Sequence, residues 1–99
     1  VEPATENLLP GNPLSLTSGS STVIVTEPSH RRSTNDTVVF RNVNGSPGGL
    51  VYSLFENGSG FSITVIDTNS YSFNCGSNAT VTEKSGGMFV TAGPVTLTP

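Results

Sequence analysis

The sequence predicts an all-β fold: a small antiparallel β-sandwich of about seven to nine short strands, immunoglobulin-like or jelly-roll in architecture. Three observations carry this expectation. No stretch places apolar residues at i, i+3, i+4 and i+7 for long enough to make a stable helix. Short runs rich in Val, Ile, Thr, Phe and Tyr alternate instead with clusters of Gly, Asn, Ser and Pro, the residues of strands and of turns. These runs recur at about 8–12 residues, the spacing of sandwiches and barrels. With one Cys and no Trp, the Cys–Trp–Cys mark of true immunoglobulin domains is missing, so the term describes architecture only.

The first element is not expected to be a strand. Residues 1–13 hold Pro3, Pro10 and Pro13, which cannot join a central strand or a helix interior. They are expected to form an extended Pro-rich linker or arm, with Leu8 and Leu9 anchoring its last turn. The chain starts at Val and shows no signal-peptide pattern, as expected of a processed mature chain or of a domain of a longer protein, and the Pro-rich opening favours the second. Residues 14–99 are expected to form a single β-sandwich domain.

Strands are expected near 14–17, 22–26, 37–43, 49–56, 61–67, 71–75, 79–83, 88–92 and 94–98. Alternation is clearest in the second half. Phe61, Ile63 and Val65 share one face, as do Tyr71, Phe73 and Cys75, then Ala79 and Val81, then Val95 and Leu97. A period of two turns one set inward and the other to water. The Asn57-Gly58-Ser59-Gly60 turn supplies glycines for positive φ and makes 49–67 the expected principal hairpin. Thr68-Asn69-Ser70 and Lys84-Ser85-Gly86-Gly87 are expected as short connections within a C-terminal meander, and 44–49 as a longer loop.

Composition excludes several functions. The 33% hydrophobic fraction leaves the five Phe, two Tyr and the Val, Ile and Leu positions to build the core. Four Lys+Arg against seven Asp+Glu cannot line a positive channel, so no nucleic-acid partner is expected. No apolar run approaches the roughly 20 residues that cross a bilayer, so no membrane insertion is expected. One Cys rules out a disulfide framework and a Cys-based metal cluster.

Catalysis is not expected either. Nucleophilic chemistry needs a base beside Ser, Thr or Cys, and glycoside hydrolysis needs two carboxyls across a cleft. The only His, His30, lies in the polar stretch 26–36 and reads as solvated. Cys75 falls on an inward face, where Cys behaves as a small hydrophobe. Glu56, Asp67 and Glu83 stand at separate strand ends. Asp67-Thr68-Asn69 starts like a calcium loop but lacks its Gly and its distal Glu. No nucleophile elbow, His-Glu-Xaa-Xaa-His pair or phosphate loop occurs. No cofactor or metal is therefore expected. A buried cleft bringing two of Glu56, Asp67, Glu83 and His30 within hydrogen-bond reach would reverse this.

What remains is binding. His30, Arg31 and Arg32 form a cationic row within a loop, 27–36, that is longer than a usual hairpin connection, and such loops are often functional. Arg suits bidentate pairing with a carboxylate or an acidic glycan. Phe89 is expected to face away from Met88 and Val90, as an exposed aromatic contact. Val39, Ile66 and Phe89 together would leave apolar surface that a second copy could cover. Asn35, Asn57 and Asn78 begin glycosylation acceptor sequons, and Asn44 a poorer one with Pro47 following. A Ser/Thr/Asn/Gly-rich, weakly charged surface is common in viral capsid, phage fibre and adhesin domains. The sequence thus points to a non-enzymatic exterior module of a larger assembly, such as a viral capsid protrusion or fibre domain. Its expected partners are copies of itself and a host or surface receptor that could be a glycan. Its expected place is extracellular or on a particle's exterior. The alternatives are a carbohydrate-binding or adhesin module of a cell-surface or secreted protein and, third, an enzyme or enzyme inhibitor.

Overall fold

Alternating side chains become an inside and an outside once strands pair. The computed structural model describes residues 5–95. Among them run β1 (Thr5–Leu8), β2 (Leu14–Leu16), β3 (Thr22–Thr26), β4 (Thr37–Arg41), β5 (Phe61–Ser62), β6 (Thr64–Asp67), β7 (Ser70–Asn74), β8 (Glu83–Ser85) and β9 (Thr91–Val95). They form two antiparallel sheets: β6-β7-β3-β2-β8, and β1-β9-β4 extended by the two-residue β5. The all-β antiparallel sandwich read from the sequence is the fold found.

Each central strand sends one face into the core. Val23 and Val25 of β3 are buried, and Thr22 and Thr26 are exposed. Val38 and Phe40 of β4 and Tyr71 and Phe73 of β7 follow the same rule. The sheets meet through aromatic rings: Phe40 lies 5.2 Å from Phe73 and 6.5 Å from Tyr71, and Phe61 lies 4.3 Å from Phe73. With no Trp in the chain, these rings pack between the layers alongside Leu14, Leu16, Ile63 and Val90.

Several sequence expectations fail in detail. Residues 49–56 are not a strand, so the 49–67 hairpin does not exist. Two short 3-10 segments, Pro47–Gly49 and Tyr52–Leu54, replace it. Gly48 turns the chain at φ +63, and a Cβ there would meet Leu16 Cδ2 at 2.6 Å and Ala79 Cβ at 2.9 Å. The tight turns then drop Phe55 into the core. Residues 61–67 break at buried Ile63, where the chain leaves the smaller sheet for the larger one. Of the expected strand 79–83, Ala79 forms only a bridge to Ser18, Val81 is exposed, and Glu83 opens β8. Lys84 and Ser85 belong to β8 rather than to a turn, which begins at Gly86. The last strand is one element, Thr91–Val95, in place of 88–92 and 94–98, and residues 96–98 lie outside the described residues. Because β8 crosses to the edge beside β2 and β9 enters the other sheet, the described residues form no C-terminal meander. The opening segment pairs with β9 through β1, and Leu9 is buried while Leu8 is exposed.

Candidate functional site

At one end of the larger sheet, β3 finishes opposite the start of β7, with Thr26 paired to Ser70. The 27–36 loop leaves β3 there and folds against the β6–β7 turn. Its polar character predicts solvent, yet Glu27 and His30 are buried. The reason is local pairing. Arg32 Nε donates to Glu27 Oε1 at 2.9 Å and Nη2 donates to Oε2 at 3.1 Å, a bidentate ion pair with both side chains nearly inaccessible. Tyr71 donates its hydroxyl to Glu27 Oε1 at 2.5 Å, and the Arg32 guanidinium also reaches the Ala92 carbonyl at 3.2 Å. This joins the loop to both sheets.

Charge and burial act together here. Burial alone disfavours the Arg32 charge, but the Glu27 hydrogen bond and charge outweigh it and raise the Arg32 pKa. Burial, then the Glu27 hydrogen bond and charge, push the Tyr71 phenol far above its ordinary 10.0. The phenol therefore stays a donor. Asp67 is held below the ordinary carboxylate value by the backbone N–H of Asn69 and then by the Ser70 hydroxyl.

His30 is a wall, not a free base. The Arg32 backbone N–H donates to Nδ1 at 2.9 Å, which places the ring proton on Nε2, and Nε2 donates to the Asp67 carbonyl at 2.6 Å. The ring stands edge-on to Tyr71 at 5.2 Å. His30 and Asp67 thus come together, but through the backbone carbonyl rather than the carboxylate. Glu83 is elsewhere, accepting from the Gly48 N–H at 2.7 Å. Among the described residues, no three His, Cys, Asp or Glu side chains gather as metal ligands.

A cavity of about 460 Å³ opens between the loop and the β6–β7 turn. His30, Arg32 and Val65 form its inner wall, and Ser29, Arg31, Asp67 and Thr68 its rim. The expected cationic row is therefore split: His30 and Arg32 turn inward, and Arg31 remains exposed. Phe89, 69% exposed, does not line this cavity. It follows β8, four strand spacings from β6, or about 19 Å across the sheet, and neighbouring Met88 is also exposed. Val39 is half-buried and Ile66 exposed. Asn35, Asn57 and Asn78 are all exposed, and the Asn57 side chain closes its own turn by accepting from the Ser59 N–H at 3.0 Å.

Sequence reasoning missed Glu27 and Tyr71 as members of this cluster. The Glu27 to Arg32 spacing across one loop was visible, but nothing in the sequence placed Tyr71 beside them. Two packed antiparallel sheets with a hydrogen-bonded loop pocket at one end define a small all-β sandwich module. A solved structure shares that fold: the phage phi92 endosialidase matches 92% of this chain at a TM-score of 0.69 and 22% identity. The matched segment spans 12% of that protein's chain. No protein-family model and no curated sequence matches the chain.

Proposed function

We propose that this chain is a non-enzymatic exterior module of a larger assembly, of phage tail or fibre type, that contacts a receptor or a neighbouring subunit. The observation that carries the reading is the fold match: nearly the whole chain corresponds to about an eighth of a phage protein. A domain of this size can therefore be one part of a longer phage chain. The tied-up His30, the bonded carboxylates Glu27 and Glu83, and the exposed Arg31 favour contact over catalysis. The exterior setting also suits the exposed asparagines of the three sequons. A second reading, a carbohydrate-binding or adhesin module of a cell-surface or secreted protein, is favoured by the exposure of Phe89. Immunogold labelling with antibody against the domain tests the first reading on intact particles. Label on unbroken exteriors is expected; label only after disruption would overturn it.

A further inference from the structure

We propose that the cavity between the 27–36 loop and the β6–β7 turn binds a carboxylate-bearing saccharide unit, with Arg31 taking the carboxylate and Asp67 accepting from ring hydroxyls. The inference rests on the reading of this loop as the contact face. It starts from the loop's backbone. Ser29 and Arg31 stand at φ +53 and +57, on either side of buried His30. Left-handed backbone is costly for residues other than glycine, and it gathers at ligand clamps and other functional sites. Here it has a definite geometric result: it turns the His30 ring inward and leaves the Arg31 side chain outward on the rim.

The walls are fixed before any ligand arrives. Glu27 N donates to the Asn69 carbonyl at 2.9 Å, Ser29 N to Asn69 Oδ1 at 3.0 Å, and His30 N to the Thr68 carbonyl at 3.2 Å. The His30 ring closes the same seam on the Asp67 carbonyl. Such prior ordering lowers the cost of binding. The volume lies within the range of small-molecule sites, roughly 300–1,000 Å³.

The charges select the class of ligand. Arg31 is an exposed cation on the rim, and Asp67, held ionised by Asn69 and Ser70, is an anion on the same rim. A small bare anion is attracted by one and repelled by the other. A neutral sugar leaves Arg31 without a carboxylate to pair with. A sugar carrying a carboxylate satisfies both: its acid pairs with the guanidinium, and its hydroxyls donate to Asp67 and exchange hydrogen bonds with Ser29 and Thr68. Val65 and the His30 ring supply the apolar wall against which a pyranose face can lie.

Backbone amide shifts in NMR test this on the 99-residue chain. The probes are the methyl glycosides of glucuronic, galacturonic and N-acetylneuraminic acids, with methyl glucoside, methyl galactoside and acetate as controls. At least one acidic sugar is expected to move amides at residues 29–32 and 65–68 with a millimolar Kd, at least about tenfold tighter than every control. Arg31→Asn removes the cation while keeping a residue that tolerates left-handed backbone, and should weaken that sugar about tenfold. The unchanged spectrum of the variant elsewhere would show that it folds. Absence of shifts with all three acids up to tens of millimolar, equal binding of acidic and neutral sugars, or full binding by Arg31→Asn would each overturn the proposal. None of these outcomes bears on the immunogold result, so this site and the exterior-module reading fail separately.

Discussion

Replacing Arg32 with leucine separates two effects that a buried ion pair combines. The Glu27 side chain is 1% exposed and that of Arg32 is 5% exposed. Removing the guanidinium leaves a desolvated carboxylate without that cation, and breaking a buried pair from one side costs about 3–5 kcal/mol. A domain of this length has a total stability of about 5–15 kcal/mol, so the variant should survive only near the lower margin. Its Tm should fall by at least about 12 °C, taking about 4 °C per kcal/mol for a domain of this size. Glu27→Leu in the same chain removes the stranded charge but leaves the Tyr71 hydroxyl without its acceptor, a further cost of about 1–3 kcal/mol. Tyr71→Phe then removes that hydroxyl. The triple variant should recover most of the loss, because well-packed apolar replacements of buried pairs are close to neutral. Urea denaturation followed by circular dichroism measures each step, with an unchanged slope showing that the unfolded state is the same. A loss below about 1 kcal/mol for Arg32→Leu, or a triple variant no more stable than the single one, would refute the reasoning.

Phe40 bridges the sheets, so Phe40→Ala should cost about 3–5 kcal/mol in the same urea titration. Gly48→Ala combines a positive φ with contacts at 2.6 and 2.9 Å and should lower Tm clearly, whereas the same change at exposed Gly58, with open space around it, should have little effect. Tyr71 has a raised pKa when folded, so the stability it contributes is complete below the unfolded value near 10 and is lost as pH rises beyond it. Alkaline unfolding above about pH 10 should therefore shift in Tyr71→Phe, read by circular dichroism across a pH series. Leu8, Met88 and Phe89 are 62%, 64% and 69% exposed. Sedimentation over a concentration series should show self-association that Phe89→Ser weakens, and a strict monomer at high concentration would defeat that expectation.

The parts of this fold that could be read from the chain are those where one physical rule acts alone. In β3 and β7, strict alternation met a buried face, and both strands lie close to where the pattern put them. In Leu50-Val51-Tyr52-Ser53-Leu54-Phe55 the apolar run has no clean period of two. Such short runs do not distinguish a strand from tight turns, and the paired glycines before it decided for turns. β8 was hidden for the opposite reason. Glu83-Lys84-Ser85 has no strand composition, and it pairs because β2 offers an open edge. The site divides in the same way. Arg31 and the 27–36 loop are visible as charge and length, but His30 and Arg32 pack against the ring of Tyr71, far along the chain, and long-range contacts of that kind leave no mark in local sequence.

The cluster also shows why this loop is ordered at all. A buried ion pair is weak evidence for stability, since an apolar trio of similar volume would hold the sheets at least as well. The left-handed residues Ser29 and Arg31, beside a third at Asn35, add a further cost of about 1–3 kcal/mol each. Neither feature is therefore explained by the need to keep the sandwich folded. What they do together is geometric. The Glu27–Arg32 pair ties the base of the loop to Tyr71 and Ala92, and the His30 ring ties its crest to the β6–β7 turn. Within that span Ser29 and Arg31 both face solvent beside the cavity, and Arg31 carries the charge. A loop selected only to connect β3 to β4 would need none of this. The proposed saccharide site would gain from that order, because a loop already fixed costs less to bind.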